Sequence, residues 1–242
     1  MASFIDDINQ AESEPSQHQE RVDVYDSISQ AHLQIVAELL DTFHKACRTC
    51  DDEDQQFLDI GCGPGRVTFE CLFPRCQPCR RLVAVDKSAA MLKFAAENYP
   101  HPKICYFPLD IAEDVDDFLH EQGQFHRVYS FLTLHWIRDQ RRCLSNIEKL
   151  MAPEGECILL FKQSVHFFNL FEAMMSTQRW SKYSQVLESM MPATATLNGV
   201  AALRAYARDL LKSTSLTALA CEVFVSAMPL QWTREKLTGR QE

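Results

Sequence analysis

The chain alternates short apolar runs with longer segments in which apolar residues recur every three or four positions. Apolar runs bounded by polar residues predict buried strands, and the three-to-four spacing predicts helices. The strands are predicted at residues 55–60, 81–86, 103–111, 125–136, 157–162 and 216–228. The helices are predicted at residues 24–47, 67–72, 88–99, 138–151, 166–175 and 198–213. Apolar strands that alternate with helices predict an α/β fold with a doubly wound parallel sheet, buried on both faces.

The 242 residues are enough for one good core, so we predict a single domain over residues 21–242, preceded by a flexible arm at residues 1–20. The strand and helix alternation occupies residues 21–163, and residues 164–242 are predicted as a substrate or cap region. There, aromatic and methionine side chains between Phe167 and Met175 follow helical spacing. This stripe predicts either a helix packed on the sheet or one wall of an apolar tunnel.

The net charge of -9 argues against a protein that binds nucleic-acid backbones, because such proteins usually carry a basic face. The N-terminus lacks the basic and apolar segments of a secretory signal, and no apolar run approaches the roughly 20 residues that span a bilayer. We therefore expect a cytoplasmic protein that acts on a small molecule, with no nucleic-acid partner and no membrane insertion. A homodimer is left open.

Four of the ten cysteines form two Cys-x-x-Cys pairs, Cys47 with Cys50 and Cys76 with Cys79. Paired cysteines at this spacing are typical of a structural zinc site. The pairs precede the first two strands and so lie at the opposite edge of the sheet from the glycine loop. In a chain without a secretory signal, reduced and partly buried thiols are the favoured interpretation, and no metal is predicted.

Residues 57–65, "FLDIGCGPG", join a strand that carries an acid to three alternate glycines and a helix, which is the outline of a nucleotide site. The spacing of these glycines departs from the Gly-x-Gly-x-x-Gly dinucleotide fingerprint, and no Gly-Lys-Ser/Thr follows. Asp59 lies inside the first strand, and Asp86 and Asp110 end the next two. Three acids without a phosphate-binding lysine favour a ligand with a ribose, an amine and an adenine. We therefore predict S-adenosylmethionine as the ligand.

The stretches "FLDIGCGPGRVT", "LVAVDKSAAMLKFA" and "YFPLDIAED" resemble, in order and spacing, the class I S-adenosylmethionine-dependent methyltransferases. The resemblance spans about residues 25–163 and implies an enzyme with a Rossmann-like sheet. It implies that the glycine loop lines the methionine portion of the cofactor, that Asp86 holds the ribose and that Asp110 brackets the adenine. The implied cofactor-binding residues are Asp59, Gly61, Cys62, Gly63, Gly65, Asp86, Lys87, Met91, Asp110, Ile111 and Leu132.

The stretch "RVYSFLTLHWIRDQRRCLSNIEKLMAPEGECILLF" is similar to the juvenile hormone acid O-methyltransferases, which methylate the carboxylate of farnesoic acid and related sesquiterpenoid acids. This resemblance implies a carboxyl O-methyltransferase that acts on a small hydrophobic acid. In that family an indole N–H, here Trp136, and a glutamine of the N-terminal helix hold the carboxylate. The family spacing puts His32 at the glutamine position, so Gln30 is our first choice and His32 the alternative. For His135, a packing role is favoured over that of a general base.

Two other functions stay open: methylation of another small acid or amine, and a catalytically weak, shortened relative that acts as a binding module. The second is suggested by the final residues, "PLQWTREKLTGRQE". Class I methyltransferases have a seventh, antiparallel strand after the sixth, whereas this stretch is polar and helix-prone. We therefore predict that the seventh strand is absent.

Overall fold

A computed structural model of the protein describes residues 15–43, 47, 53–163, 173–185, 188 and 191–224. At its centre is a five-stranded parallel sheet in the order β3-β2-β1-β4-β5. The strands are β1 (Gln56–Ile60), β2 (Arg81–Asp86), β3 (Ile104–Pro108), β4 (Phe125–Phe131) and β5 (Met151–Leu160). The helices include α1 (Pro15–Phe43), α2 (Ala89–Asn98), α3 (Asp116–Gln122), α4 (Gln140–Leu150) and α5 (Gly199–Leu211). Shorter turns are a π-helical turn at Val67–Leu72 and 3-10 turns at Phe73–Cys76, Leu134–Trp136 and Ser181–Tyr183.

Both faces of the sheet are covered, as the continuous apolar runs predicted. Successive side chains of a strand point to opposite faces, so Phe57 of β1 enters one core and Leu58 enters the other. The first core also receives Leu40 of α1 and Leu72 of the π-helical turn. The second receives side chains of α3 and α4, and Leu210 of α5. This arrangement confirms the predicted doubly wound parallel sheet.

The order of the strands reverses at β1, which pairs with β2 on one side and with β4 on the other. The chain therefore leaves β1 and β4 in opposite directions, and a crevice opens beyond their carboxyl ends. The residues that follow these two strands are the glycine loop and the segment that contains Trp136. The topology thus brings together the two motifs that the sequence singled out.

Three element boundaries differ from those predicted. Helix α1 begins at Pro15, so the last six residues of the predicted arm are helical, whereas residues 1–14 lie outside the described ranges. Strand β4 ends at Phe131 instead of continuing to residue 136, because Leu132 adopts a φ of 57°. Strand β5 begins at Met151, and residues 152–156, which were predicted as a turn, form a bulge within this strand.

The predicted sixth strand is wrong over residues 216–224, which form no strand. Leu219 is 81% exposed, and Arg204 of α5 pairs with Glu222 at 2.7 Å. The segment therefore lies against α5 and does not extend the sheet, although its apolar pattern resembles that of a buried strand. Residues 225–242 lie outside the described ranges, so the absence of a seventh strand stays a prediction. Residues 167–172, which are most of the Phe167 to Met175 stripe, lie outside them as well.

In the ranges listed above, no helix combines the length and the apolar character needed to cross a membrane.

Candidate active site

The glycine loop folds back over the end of β2 through backbone hydrogen bonds. The amides of Gly61 and Cys62 both donate to the carbonyl of Val85, at 2.7 and 3.0 Å. Gly61 has a φ of 76°, and a Cβ added there would lie 2.1 Å from Oγ1 of Thr133. Both the backbone conformation and the space beside it therefore require glycine at this position.

Gly65 closes the loop under a second constraint of the same kind. Its φ is 89°, and an added Cβ would lie 2.7 Å from Cβ of Ala95 on α2. The Gly65 amide donates to the Cys62 carbonyl at 3.1 Å, and the Gly65 carbonyl accepts from Phe69 at 2.9 Å as the π-helical turn begins. The loop thus lies against α2 at a distance that leaves no space for a side chain.

The carboxylate of Asp86, at the end of β2, bonds directly to this loop. Its Oδ2 accepts from the Gly63 amide at 3.0 Å, and its Oδ1 accepts from the Ser88 amide at 2.9 Å. Ser88 in turn caps α2 by accepting from the Met91 amide at 3.4 Å. Lys87 between them is exposed. The predicted ribose-binding acid is therefore held at the surface of the loop, and α2 starts beside it.

Asp110 lies two residues beyond the end of β3, one loop further along the same edge of the sheet. Its Oδ1 accepts from the Ala112 amide at 3.0 Å, and the neighbouring Ile111 is buried. Asn146 of α4 donates to the Ile111 carbonyl at 2.8 Å and so fixes this turn. The two predicted adenine contacts, Asp110 and Ile111, are thus adjacent, and α4 holds the turn that contains them.

Asp59 is 3% exposed and accepts a hydrogen bond of 2.6 Å from the hydroxyl of Thr68. Burial raises the pKa of this carboxyl to about 7, and the charge of Asp86 adds to the rise, whereas the Thr68 hydroxyl opposes it. A carboxyl with such a pKa is partly protonated near neutral pH, so both its neutral and its charged form are populated.

A cavity of about 30 Å³ lies between the glycine loop and helix α1. One helix face supplies its outer wall, through Tyr25, Ser29, His32 and Val36. These positions follow the i, i+4, i+7, i+11 spacing of one helix face, which is the signal that could have identified the wall from the sequence. The loop side is lined by Asp59, Gly61, Cys62, Gly63, Pro64 and Val67, together with Phe131 at the end of β4 and Leu132 after it.

Helix α1 is held against the loop by an ion pair that the sequence analysis missed. Asp26 is 7% exposed and accepts from Nε of Arg66 at 3.1 Å and from the hydroxyl of Tyr99 at 3.1 Å. The Arg66 guanidinium also lies 5.5 Å from the centre of the Tyr99 ring. The three residues lie far apart in the chain, so no local pattern announces the cluster.

The turn at Leu134–Trp136 is braced from both sides. The hydroxyl of Thr133 donates to the Gly61 carbonyl at 3.2 Å, which ties the turn to the glycine loop. The side-chain amide of Gln140 donates to the Leu134 carbonyl at 2.8 Å, and the hydroxyl of Tyr206 on α5 donates to Gln140 at 3.0 Å. The indole of Trp136 is 47% exposed despite its size, and His135 beside it is 2% exposed.

The three predicted acceptor residues occupy different places. His32 lies on the cavity wall, whereas the Gln30 side chain is exposed and outside that wall. Trp136 lies in the braced turn that follows β4. The cavity is also lined by five of the predicted cofactor-binding residues: Asp59, Gly61, Cys62, Gly63 and Leu132.

No group of three potential metal ligands exists among the described residues, which exclude Cys50 of the first cysteine pair. Cys76 and Cys79 of the second pair are buried thiols.

Residues 58–159 match the family described as a methyltransferase domain. This match and the parallel sheet confirm the predicted resemblance to the class I S-adenosylmethionine-dependent methyltransferases and the predicted cofactor. The residues fit that cofactor, because the glycine loop has two positions at which a Cβ would clash and a carboxylate bonded beside it.

Within this class the chain resembles juvenile hormone acid O-methyltransferases. It is 36% identical over 126 residues to the enzyme of Bombyx mori, a match that covers 52% of this chain and 45% of the relative. It is 30% identical over 156 residues to the enzyme of Drosophila melanogaster, covering 63% of this chain and 52% of the relative. The matched region spans about half the length of these curated relatives.

A solved structure supports the fold alone. It is a methyltransferase in complex with the Trm112 methyltransferase activator of Haloferax volcanii, with a TM-score of 0.52 and 14% identity, covering 81% of this chain and 74% of that chain.

Proposed function

We propose that the protein transfers the methyl group of S-adenosylmethionine to the carboxylate of a small hydrophobic, sesquiterpenoid-like acid. The observation that carries the proposal is the turn at Leu134–Trp136. Its neighbour Thr133 bonds to the glycine loop, and its large indole stays 47% exposed, which supports a role for Trp136 in holding the acceptor. The likeness to juvenile hormone acid O-methyltransferases gives the same class of acceptor.

On the cofactor side, the loop from Gly61 to Gly65 would receive the methionine portion, with Asp59 beneath it. Asp86 would hold the ribose, and Asp110 with Ile111 would bracket the adenine. Lys87, Met91 and Leu132 would complete the surroundings. When bound, S-adenosylmethionine supplies a methyl group on a positively charged sulfur.

On the acceptor side, the residues would act by positioning. A carboxylic acid is already ionised at neutral pH, so no general base is needed to create the nucleophile. The Trp136 indole N–H would donate to one carboxylate oxygen and leave the other free to attack. His32 is the better second donor, since it lies on the cavity wall and Gln30 does not. Fixing the attacking oxygen in this way is how such a site accelerates the transfer.

A direct test is incubation of the protein with methyl-labelled S-adenosylmethionine and farnesoic acid, with short dicarboxylic acids and amines as parallel acceptors. We expect label in the farnesoate methyl ester. Label only in a short acid or an amine would contradict the hydrophobic acceptor, although not the reaction class. Cofactor binding without transfer to any acceptor would favour the binding-module alternative.

Replacing Trp136 tests the role of the indole. We expect Trp136→Ala to lower kcat/KM for the acid by about 100-fold, because misplacement of a reacting group costs on this order. The affinity for S-adenosylhomocysteine should change less than about twofold. Trp180→Ala provides the matched control, since Trp180 packs on Arg179 and does not line the cavity beside the glycine loop. Equal losses of acid turnover and cofactor affinity in Trp136→Ala would show that the role is wrongly assigned.

A further inference from the structure

Three basic side chains near the carboxyl ends of β4 and β5 lie close enough for their charges to act on one another. His135 follows β4, and Lys162 lies two residues beyond the end of β5. These strands are paired in parallel at Phe131 and Leu160, so the segments that follow them leave the sheet side by side. His32 approaches from α1, on the wall of the cavity.

His135 is almost completely buried, yet its Nδ1 has no hydrogen-bond partner. An orphaned polar atom inside a protein is costly, and it is found where a ligand or a strained function requires it. The imidazole stacks at a tilt on Trp136, with ring centres 4.9 Å apart. The unpartnered nitrogen is therefore part of a ring that packs on the exposed indole.

The charges around this cluster are of one sign. Burial, the charge of Lys162 and that of His32 lower the pKa of His135 to about 4. Burial and the charge of Lys162 also lower the pKa of His32 to about 4, and burial lowers the pKa of Lys162. Within the described residues, Lys162 forms no salt bridge with a carboxylate. The cluster therefore has the composition of an anion site whose anion comes from outside the protein.

We infer that His135, His32 and Lys162 form the anion-binding side of the acceptor site and take the carboxylate of the substrate, with Nδ1 of His135 as a direct donor. This inference rests on the proposed function, since it names the groups that receive the acceptor acid. It replaces the packing role that the sequence favoured for His135.

The chemistry balances without a further reactant. The acid binds together with one proton, which resides on Nδ1 of His135 and bonds to one carboxylate oxygen. The other oxygen uses a lone pair to form the bond to the methyl carbon, and the electrons of the broken carbon–sulfur bond pass to sulfur. The neutral ester cannot hold the imidazolium, so the proton returns to solvent as the ester leaves.

Proton uptake makes the acid bind more tightly as pH falls. The Kd of the acid should rise by up to about tenfold per pH unit between the pKa of His135 in the free protein, about 4, and its higher pKa in the complex. Other titratable groups that border the cavity are Tyr25 on α1, and Asp59 and Cys62 at the loop. The charge of Asp86, at the end of β2, acts on all three. The pKa of Asp59, about 7, lies within the pH range of the experiment. A histidine variant is therefore needed to separate proton uptake by His135 from that by Asp59.

The experiment is calorimetric titration of the full chain, saturated with S-adenosylhomocysteine, with farnesoic acid and with farnesol from about pH 6.5 to about pH 8.5. Two buffers of different ionisation enthalpy report the protons taken up. We expect close to one proton per farnesoic acid at the lower pH, and acid binding that is at least about tenfold weaker at the upper pH. Farnesol, which carries no charge, should bind equally at every pH.

The variants are His135→Gln and Lys162→Met, with the exposed His120→Gln and Lys93→Met as matched controls. His135→Gln should abolish the pH dependence and weaken acid binding about tenfold, with farnesol unaffected. Lys162→Met should weaken acid binding while keeping the proton uptake. His32→Gln serves in place of His135→Gln if the latter fails to fold, and it should reduce acid affinity in the same direction.

Folded variants that retain both the affinity and the pH dependence of the wild type would overturn the inference. So would the absence of binding by both farnesoic acid and a short acid such as butyrate, whatever label transfer shows. Binding of butyrate alone, with the same proton uptake, would support the anion site and contradict only the hydrophobic acceptor. Esterified farnesoate with no proton uptake on binding would contradict the anion site and leave the proposed function standing.

Discussion

Around the glycine loop, the buried polar groups bond to one another: Asp59 accepts from Thr68, and Asp86 accepts from Gly63. Beyond β4 and β5, Nδ1 of His135 has no hydrogen-bond partner, and Lys162 forms no salt bridge within the described residues. The cofactor side is thus internally satisfied before any ligand arrives. The acceptor side keeps unsatisfied groups, and such groups are tolerated where they are used for binding.

Breaking the geometry of the cofactor side should have the largest effect. In Gly61→Ala, the new Cβ must overlap Thr133 while the backbone stays at a φ of 76°. Left-handed strain and overpacking together should cost about 2 to 5 kcal/mol of unfolding free energy, and S-adenosylhomocysteine binding should be lost. Chemical denaturation and calorimetry measure the two effects.

Gly199→Ala is the matched control for that variant. Gly199 has a φ of 82° and nothing within 4 Å of an added Cβ, so only the conformational cost applies. A loss of about 1 to 2 kcal/mol is expected, with cofactor binding intact. Equal losses in the two variants would mean that the contact with Thr133 does not constrain the loop.

Much of the cofactor side was predictable because its signals are local: an apolar strand, alternate glycines and acids near the ends of successive strands. The acceptor side was harder to predict from the sequence. His32, His135 and Lys162 come from three segments that only the sheet topology brings together, and no spacing in the chain announces an orphaned Nδ1. The Asp26 and Arg66 pair is hidden for the same reason. The apolar run was misleading over residues 216–224, because strand propensity depends on pairing with a sheet, and this segment lies largely exposed beside α5.

A pH series tests how much the burial of the Asp59 carboxyl lowers the free energy of unfolding. The pKa of Asp59 is about 7 in the fold and near 4 in an unfolded chain. The folded state therefore holds more protons between these values, and stability falls as pH rises from about 4 to about 7. The wild type should lose about 3 kcal/mol relative to Asp59→Asn between pH 5 and pH 8.

The measurement is the free energy of unfolding by denaturant at each pH for both proteins. Asp114→Asn serves as the control, because Asp114 is exposed and bonds only to a local amide. It should follow the wild type at every pH. A constant difference between the wild type and Asp59→Asn would show that this carboxyl does not change its protonation on folding.

The smallest effect should come from the acceptor side, and it should have the opposite sign. Burial lowers the pKa of Lys162, so its charged form is less favourable in the fold than in the unfolded chain at neutral pH. Lys162→Met keeps the apolar stem and removes the charge, and we expect a gain of about 1 kcal/mol, seen as a rise of about 2 to 4 °C in Tm. Lys93→Met, at an exposed position of α2, should leave Tm unchanged. A variant that is more stable yet binds the acid less well would show that the acceptor side sacrifices stability for binding, whereas a lower Tm would mean that Lys162 has a stabilising partner in the fold.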